Sequence, residues 1–272
     1  MTGELQKKYD NLIAELKLYE SVAVAFSSGV DSTFLLKVAH DILGDKAFAV
    51  TARSMAFPER ETKESIDFCS DNGISQFFVD VNELEIEGFR DNPADRCYHC
   101  KKELFGKIIE VSKKNGATAV LDGSNKDDEG DYRPGLRAIE ELGVHSPLRK
   151  FGFTKAEIRT LSKGLGLNTA SKPSFACLAT RFVYGEKITE EKLAMVEKAE
   201  QLLFDMGFKQ FRVRIHGEKD FIARIEVLEE DLSRLMENNI RNEVVNKFKS
   251  YGFSYVTMDI QGYRMGSMNE IL

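Results

Sequence analysis

The stretch 21–43 constrains the fold of this chain more than any other. Ser21-Val-Ala-Val-Ala-Phe26 is a short β-branched, apolar run that ends in the turn Ser27-Ser-Gly-Val-Asp-Ser32, and a helical apolar period follows from Ser32 to Leu43. A buried strand that feeds a helix through small residues aims backbone N–H groups and the positive end of the helix at one point, an arrangement that favours a phosphate. The pattern recurs, with strands expected at 47–51, 76–81 and 118–121 and helices at 58–72 and 100–115. Alternation of this kind implies an α/β fold, a doubly wound parallel sheet with helices on both faces, and ligands in such sheets bind beyond the carboxyl ends of the strands.

Two further helices are expected at 134–142 and 154–165, the second capped by Thr154 with Glu157 three residues on. After an aperiodic stretch at 168–185 the character changes. A long helix at 189–206, strands at 211–215 and 221–227, two helices and a strand at 255–260 read as a smaller C-terminal α+β domain. The expected division is 1–185 and 186–272. An opening amphipathic helix is carried by Leu5, Tyr9, Leu12, Ile13 and Leu16.

With 272 residues, 42% of them hydrophobic, the chain can build its core without staples. No apolar stretch approaches the roughly 18–20 residues that span a bilayer, and the N-terminus has no apolar leader, so a soluble, cytoplasmic location is expected. The net charge of -6 argues against a surface that wraps nucleic acid and favours a small-molecule substrate. Four cysteines (Cys69, Cys97, Cys100 and Cys177) are too few for a disulfide scaffold and read as metal or catalytic chemistry in a reducing compartment.

Within the loop, Gly29 allows close backbone approach while Ser27 and Ser32 offer hydroxyls. The loop lacks the Gly-Lys-Ser/Thr ending of the common nucleoside-triphosphatase motif, so no lysine of its own points at the terminal phosphates. Leu121-Asp-Gly-Ser-Asn-Lys126 places Gly123 at a strand end, where it suits contact with a nucleotide. The acidic run Asp127-Asp-Glu129 is either a Mg²⁺ holder or a solvated loop. Arg212 and Arg214 lie two apart on an expected strand and so project from one face, where two guanidinium forks suit a phosphate; a surface-strand role is the alternative. Cys69 reads as core, and His216 is assigned no role.

Ser-Ser-Gly-Val-Asp-Ser resembles the pyrophosphatase loop of the adenylating PP-loop superfamily, usually Ser-Gly-Gly-x-Asp-Ser, which cleaves ATP between the α and β phosphates. Ser28 stands where that loop has its first glycine, while Gly29, Asp31 and Ser32 match. Leu-Asp-Gly-Ser-Asn, Asp-Tyr-Arg-Pro-Gly, Ser-Phe-Ala-Cys-Leu-Ala-Thr-Arg-Phe, Phe-Arg-Val-Arg-Ile-His and Gly-Tyr-Arg-Met-Gly-Ser-Met-Asn extend the likeness along nearly the whole chain. Together they resemble the LarE-type ATP-dependent sulfur transferases, which build the nickel-pincer nucleotide cofactor of lactate racemase. The resemblance implies ATP bound at Ser27, Gly29, Asp31, Ser32 and Gly123. It also implies a pyridinium mononucleotide substrate whose carboxylates are adenylated and become thiocarboxylates. It assigns the sulfur-handling role to Cys177, a place near the reacting centre to Glu200, and the substrate phosphate to Lys102, Thr180, Arg181, Arg212 and Arg214. Assembly as a hexamer is implied on the same ground.

Sacrificial members of that family give up the sulfur of a single active cysteine. Here Arg96-Cys-Tyr-His-Cys-Lys-Lys102 adds a Cys-x-x-Cys pair, so that Cys97, Cys100 and Cys177 make three candidate thiolates, as in the branch that holds a [4Fe-4S] cluster and delivers sulfide from it. Zinc, with His99 as a fourth ligand, a redox disulfide, or two small buried residues are the alternatives for the pair. Thiolation of a transfer RNA base, amidation of a carboxylate, and a non-enzymatic adenine-nucleotide sensor are the rival functions.

Overall fold

The computed structural model describes residues 2–130 and 134–270. The chain separates into two compact units: the first holds 1–81 and 97–174, the second 82–96 and 175–272. The sequence places one cut at Gly185. In the structure 175–185 group with the second unit, and the excursion 82–96 joins them.

In the first unit the elements run α1 (Gly3–Leu16), β1 (Val22–Ala25), α2 (Val30–Leu43), β2 (Ala47–Arg53), α3 (Glu59–Asp71), β3 (Gln76–Asp80), α4 (Arg96–Lys114), β4 (Ala119–Leu121), α5 (Pro134–Glu141), α6 (Pro147–Lys150) and α7 (Lys155–Gly164). The four strands form one parallel sheet in the order β3-β2-β1-β4. Successive residues of a strand face opposite sides, and Val22, Ala23 and Val24 are all fully buried, so both faces of the sheet are covered. One core cluster joins Leu12 and Leu16 of α1, Phe34 and Leu35 of α2, Val24 of β1, and Ile158 and Leu161 of α7. Cys69 belongs to this cluster, and burial pushes its thiol up to about 12. Ile66, three residues earlier on α3, is exposed.

Helix α7 begins at the cap the sequence advertises. Thr154 Oγ1 accepts from Glu157 N, and the Glu157 carboxylate accepts from Thr154 N at 2.8 Å, closing a capping box. Helix α4 starts earlier than its apolar period, at Arg96, so Cys97 and Cys100 stand on its first turns.

The second unit continues with α8 (Glu190–Asp205), β5 (Phe211–His216), β6 (Ile222–Val227), α9 (Leu232–Leu235), α10 (Asn238–Ser250) and β7 (Tyr255–Met258). Its sheet has the order β5-β6-β7, antiparallel between the first two strands and parallel between the last two. The excursion is tied in by Asn92, which donates to Val183 O at 2.6 Å and accepts at its backbone oxygen from Gly185 N at 3.0 Å. Among the described residues, no helix is long and apolar enough to cross a membrane.

Candidate active site

In the first unit β1 ends at Ala25 and the chain turns through Ser27–Ser28–Gly29 into α2. Gly29 caps α2 with extended backbone and no side-chain bond, so the first-turn N–H groups are left for a ligand. Ser27 and Ser32 hydroxyls lie 3.2 Å apart, and Ser27 N donates to Ser32 Oγ at 3.3 Å. Ser28 adopts φ +53, a left-handed conformation that costs a side-chain-bearing residue about 1–2 kcal/mol and suits the glycine usual there. The serine compensates through its hydroxyl, which donates to Glu61 O at 3.1 Å and accepts from Lys172 Nζ at 3.2 Å. Ser28 is therefore anchored to α3 and to the segment after α7.

Gly123, just beyond β4, packs against the first turn of α2. A Cβ there would lie 2.9 Å from Ser32 N and 3.2 Å from Asp31 C, so only glycine allows this approach. Asp31 pairs with Lys155 of α7; burial pushes its carboxyl up against the pull of that ammonium. The acidic run is occupied with backbone: Asp127 Oδ2 accepts from Lys155 N at 2.8 Å and Asp128 Oδ2 from Asn125 N at 2.9 Å. Of the Asp-Tyr-Arg-Pro-Gly motif, Asp131, Tyr132 and Arg133 lie outside the described residues. Gly135 packs α5 onto α4, and a Cβ on it would meet Cys97 O at 3.3 Å. Two lysines that sequence reasoning missed, Lys155 and Lys172, reach the loop from after β4.

Helix α4 carries Cys97, Cys100 and Lys102. The two cysteines are half-buried and sit three apart, hence on one helix face. Lys102 is exposed; its ammonium donates to Tyr98 Oη at 3.0 Å and lies 3.6 Å from Glu141, contacts that raise its pKa.

The second unit gathers Cys177, Thr180, Arg181, Glu200, Arg212 and Arg214. Cys177 caps a single 3₁₀ turn, Leu178–Arg181. Arg181 is fully buried and organises that turn from inside, donating to Ala176 O at 3.0 Å, Cys177 O at 3.2 Å and Thr180 Oγ1 at 2.6 Å. Its other edge makes two parallel bonds to Glu200, at 2.7 and 2.8 Å. Glu200, also fully buried, accepts from Val213 N at 2.9 Å as well. Burial alone would raise the Glu200 carboxyl, but Arg181 foremost, with Arg212 and the Val213 N–H, holds it below the ordinary range.

The two strand arginines are buried rather than on a surface strand. Arg214 forms a two-pronged pair with Glu226 of β6, at 3.0 and 2.8 Å, and donates to Thr180 O at 2.9 Å. Arg212 lies over the rings of Phe175 and Tyr263, 5.8 and 5.1 Å from their centroids. Burial, and then repulsion from Arg181, pushes its pKa down to about 10, still high enough to keep the charge at neutral pH. Ser267 Oγ joins the group at 3.2 Å from Arg214 Nη2 and 3.1 Å from Glu226 Oε1. The motif Gly-Tyr-Arg-Met-Gly-Ser-Met-Asn thus wraps the arginine cluster through Tyr263 and Ser267, a role its sequence alone left unassigned. Among the described residues, no three His, Cys, Asp or Glu side chains are gathered as a metal-binding group.

A parallel sheet whose first strand delivers a Ser-Ser-Gly-Val-Asp-Ser loop to a helix N-terminus defines an ATP-dependent synthase of the ATP pyrophosphatase superfamily. In keeping with this, the chain is 26% identical over 202 residues to one of the subunits of the glutamine-hydrolysing GMP synthase of Saccharolobus solfataricus, covering 68% of this chain and 54% of that one. It is 39% identical over 268 residues to an uncharacterised protein of Synechocystis sp., covering 98% of this chain and 99% of that one. It is 38% identical over 270 residues to the pyridinium-3,5-bisthiocarboxylic acid mononucleotide synthase of Lactiplantibacillus plantarum, covering 98% and 96%. No family model matches the chain. The chain belongs to the LarE family of that superfamily.

Proposed function

We propose that this protein uses ATP to adenylate carboxylates of a pyridinium mononucleotide and converts them to thiocarboxylates. The observation that carries the reading is the near full-length identity to the Lactiplantibacillus synthase, joined to a half-buried Cys177 whose turn is braced by buried arginines. A carboxylate is a poor acyl donor. In the first step a carboxylate oxygen bonds to the α phosphorus of ATP and pyrophosphate leaves with the electron pair. In the second a sulfur nucleophile attacks the acyl carbon and AMP leaves, giving the thiocarboxylate. The loop at Ser27–Ser32 and Gly123 binds the nucleotide, and Mg²⁺ accompanies the phosphates. Lys102, Thr180, Arg181, Arg212 and Arg214 are proposed for the substrate phosphate and Glu200 for the reacting centre. Paired with each other, Glu200 and Arg181 would also hold the Cys177 turn and the Arg212 strand in place, through Arg181 on Cys177 O and Val213 N on Glu200.

The sulfur source follows from the cysteines. Cys97 and Cys100 present two thiols on one face of α4, and by the family resemblance Cys177 would be the third thiolate of a donor set of the kind that holds an iron-sulfur cluster. In this reading Cys97, Cys100 and Cys177 would hold a [4Fe-4S] cluster, which would supply the sulfide so that the chain need not be consumed. The second reading keeps the same substrate with Cys177 as a sacrificial donor. Iron and acid-labile sulfide per chain, measured in protein purified without oxygen beside Cys97→Ala, Cys100→Ala and Cys177→Ala, separate the two. About four irons, lost in each variant, support the cluster. No iron, even after anaerobic reconstitution, together with conversion of Cys177 to dehydroalanine on turnover as its Cβ–S bond breaks and its sulfur leaves on the thiocarboxylate, supports the sacrificial reading. Assembly as a hexamer is part of the proposal and is read by mass in solution.

A further inference from the structure

Glu226 of β6 is fully buried, and two arginines share it. Arg214 of β5 bonds both its oxygens, Nε to Oε1 at 3.0 Å and Nη2 to Oε2 at 2.8 Å, while Arg224 Nη1 lies 3.2 Å from the same Oε1. Arg214 and Arg224 stand directly opposite each other in the antiparallel pairing of β5 and β6. Like charges so placed repel, and a carboxylate held between them offsets that cost. Arg224 is fixed from its far side: Nε donates to His216 Nε2 at 3.2 Å, and Nη1 also pairs with Asp259. Burial and the Arg224 charge push the His216 pKa down, so the ring stays neutral and keeps a lone pair for that bond. Ser267 Oγ donates to Glu226 Oε1 at 3.1 Å.

A phosphate takes an arginine by its fork, through parallel N–H bonds. One edge of the Arg214 fork is taken up by Glu226, and the other donates to Thr180 O at 2.9 Å. To receive a phosphate Arg214 must let go of Glu226, and a buried carboxylate left without a counter-ion is strongly unfavourable. Arg224 removes that obstacle, because Glu226 keeps a cation and the Ser267 hydroxyl when Arg214 turns away.

We propose that Arg224 is a positioning residue for the substrate phosphate: it holds Glu226 as a second counter-ion, so that Arg214 exchanges that carboxylate for the phosphate of the mononucleotide. Arg224 acts through Glu226 and does not itself touch the substrate. The inference rests on the reading that Arg214 binds the substrate phosphate, and the experiment separates the two.

Affinities for nicotinic acid mononucleotide, a carboxylated pyridinium mononucleotide, and for the nucleoside that lacks its phosphate are measured by calorimetry. The proteins are the intact chain, Arg224→Met, Arg224→Lys, Glu226→Gln, the double variant Arg224→Met/Glu226→Gln, and Arg214→Met. Arg224→Met is expected to bind the mononucleotide about tenfold or more weakly with the nucleoside within about twofold of the parent, and Arg224→Lys, which keeps the charge, to lose less. Glu226→Gln takes away the carboxylate that competes for Arg214 and is expected to bind the mononucleotide about threefold or more tightly than the parent. In that background Arg224→Met changes the affinity by less than about twofold. This non-additivity is the signature of a shared carboxylate, since a merely structural arginine lowers affinity in both backgrounds. Equal losses for both ligands, no loss in Arg224→Met, an unchanged or weaker affinity in Glu226→Gln, or full additivity in the double variant overturns the assignment. The Glu226→Gln comparison decides even where Arg224→Met fails to fold. A parent that binds the mononucleotide no better than the nucleoside, or an Arg214→Met variant that matches the parent, overturns the phosphate reading itself.

Discussion

At the scale of single residues, the site depends on contacts that leave no slack. Gly123→Ala places a methyl 2.9 Å from Ser32 N, against backbone that cannot turn aside, so α2 and the loop must shift. We expect a loss of about 1–3 kcal/mol in stability and a marked loss of ATP affinity, read by denaturant melts and calorimetry. Glu200→Gln leaves the buried Arg181 charge without its counter-ion and is expected to cost about 3–5 kcal/mol. The pH dependence has a defined sign. The Glu200 carboxyl is held below its unfolded value of 4.5, so its contribution is complete above that pH and is lost as pH falls through the lower folded value. The stability gap between parent and Glu200→Gln should therefore close as pH is lowered below 4.5, and a gap that is constant in pH would contradict the account. Much of this was legible: the loop serines, Gly29, Gly123 and the arginine pair are written in local motifs. Lys155 and Lys172 were not, because they meet their partners across 124 and 144 positions, and an isolated lysine carries no periodic signal.

At the scale of elements, the parallel sheet was readable because its strands are short apolar runs separated by helical periods. The capping box of α7 was readable as well. The excursion 82–96 was not, since its buried Leu84 and Phe89 fall in no period and its partners Val183 and Ile188 lie far along the chain. That segment turns on Asn92, fully buried with φ +51, whose side chain donates to Val183 O and accepts from Arg96 at the start of α4. Asn92→Ala removes both bonds and leaves the backbone in a left-handed conformation that alanine disfavours. The expected cost is about 2–4 kcal/mol, read by chemical denaturation. The start of α4 was misjudged for the same reason: Arg96 is buried and donates to Ala179 O at 2.9 Å, a partner only the fold supplies.

At the scale of the whole molecule, two units divide the chemistry. The first carries the nucleotide loop with Cys97 and Cys100, and the second carries Cys177 on a turn braced by Arg181, Glu200 and Arg214. The net charge of -6 sets this arrangement against transfer RNA as substrate, since nucleic-acid binding draws on clustered cations, whereas the strand arginines here are buried against Glu200, Glu226 and aromatic rings. The most direct measurement is the product formed by anaerobic protein given ATP, sulfide and a pyridinium mononucleotide bearing carboxylates, followed by mass spectrometry beside Cys177→Ala. The account predicts a thiocarboxylate with release of AMP and pyrophosphate from the parent, and from Cys177→Ala pyrophosphate without thiocarboxylate. Thiocarboxylate formed equally well by Cys177→Ala, or no ATP cleavage by the parent in the presence of that substrate, would contradict it.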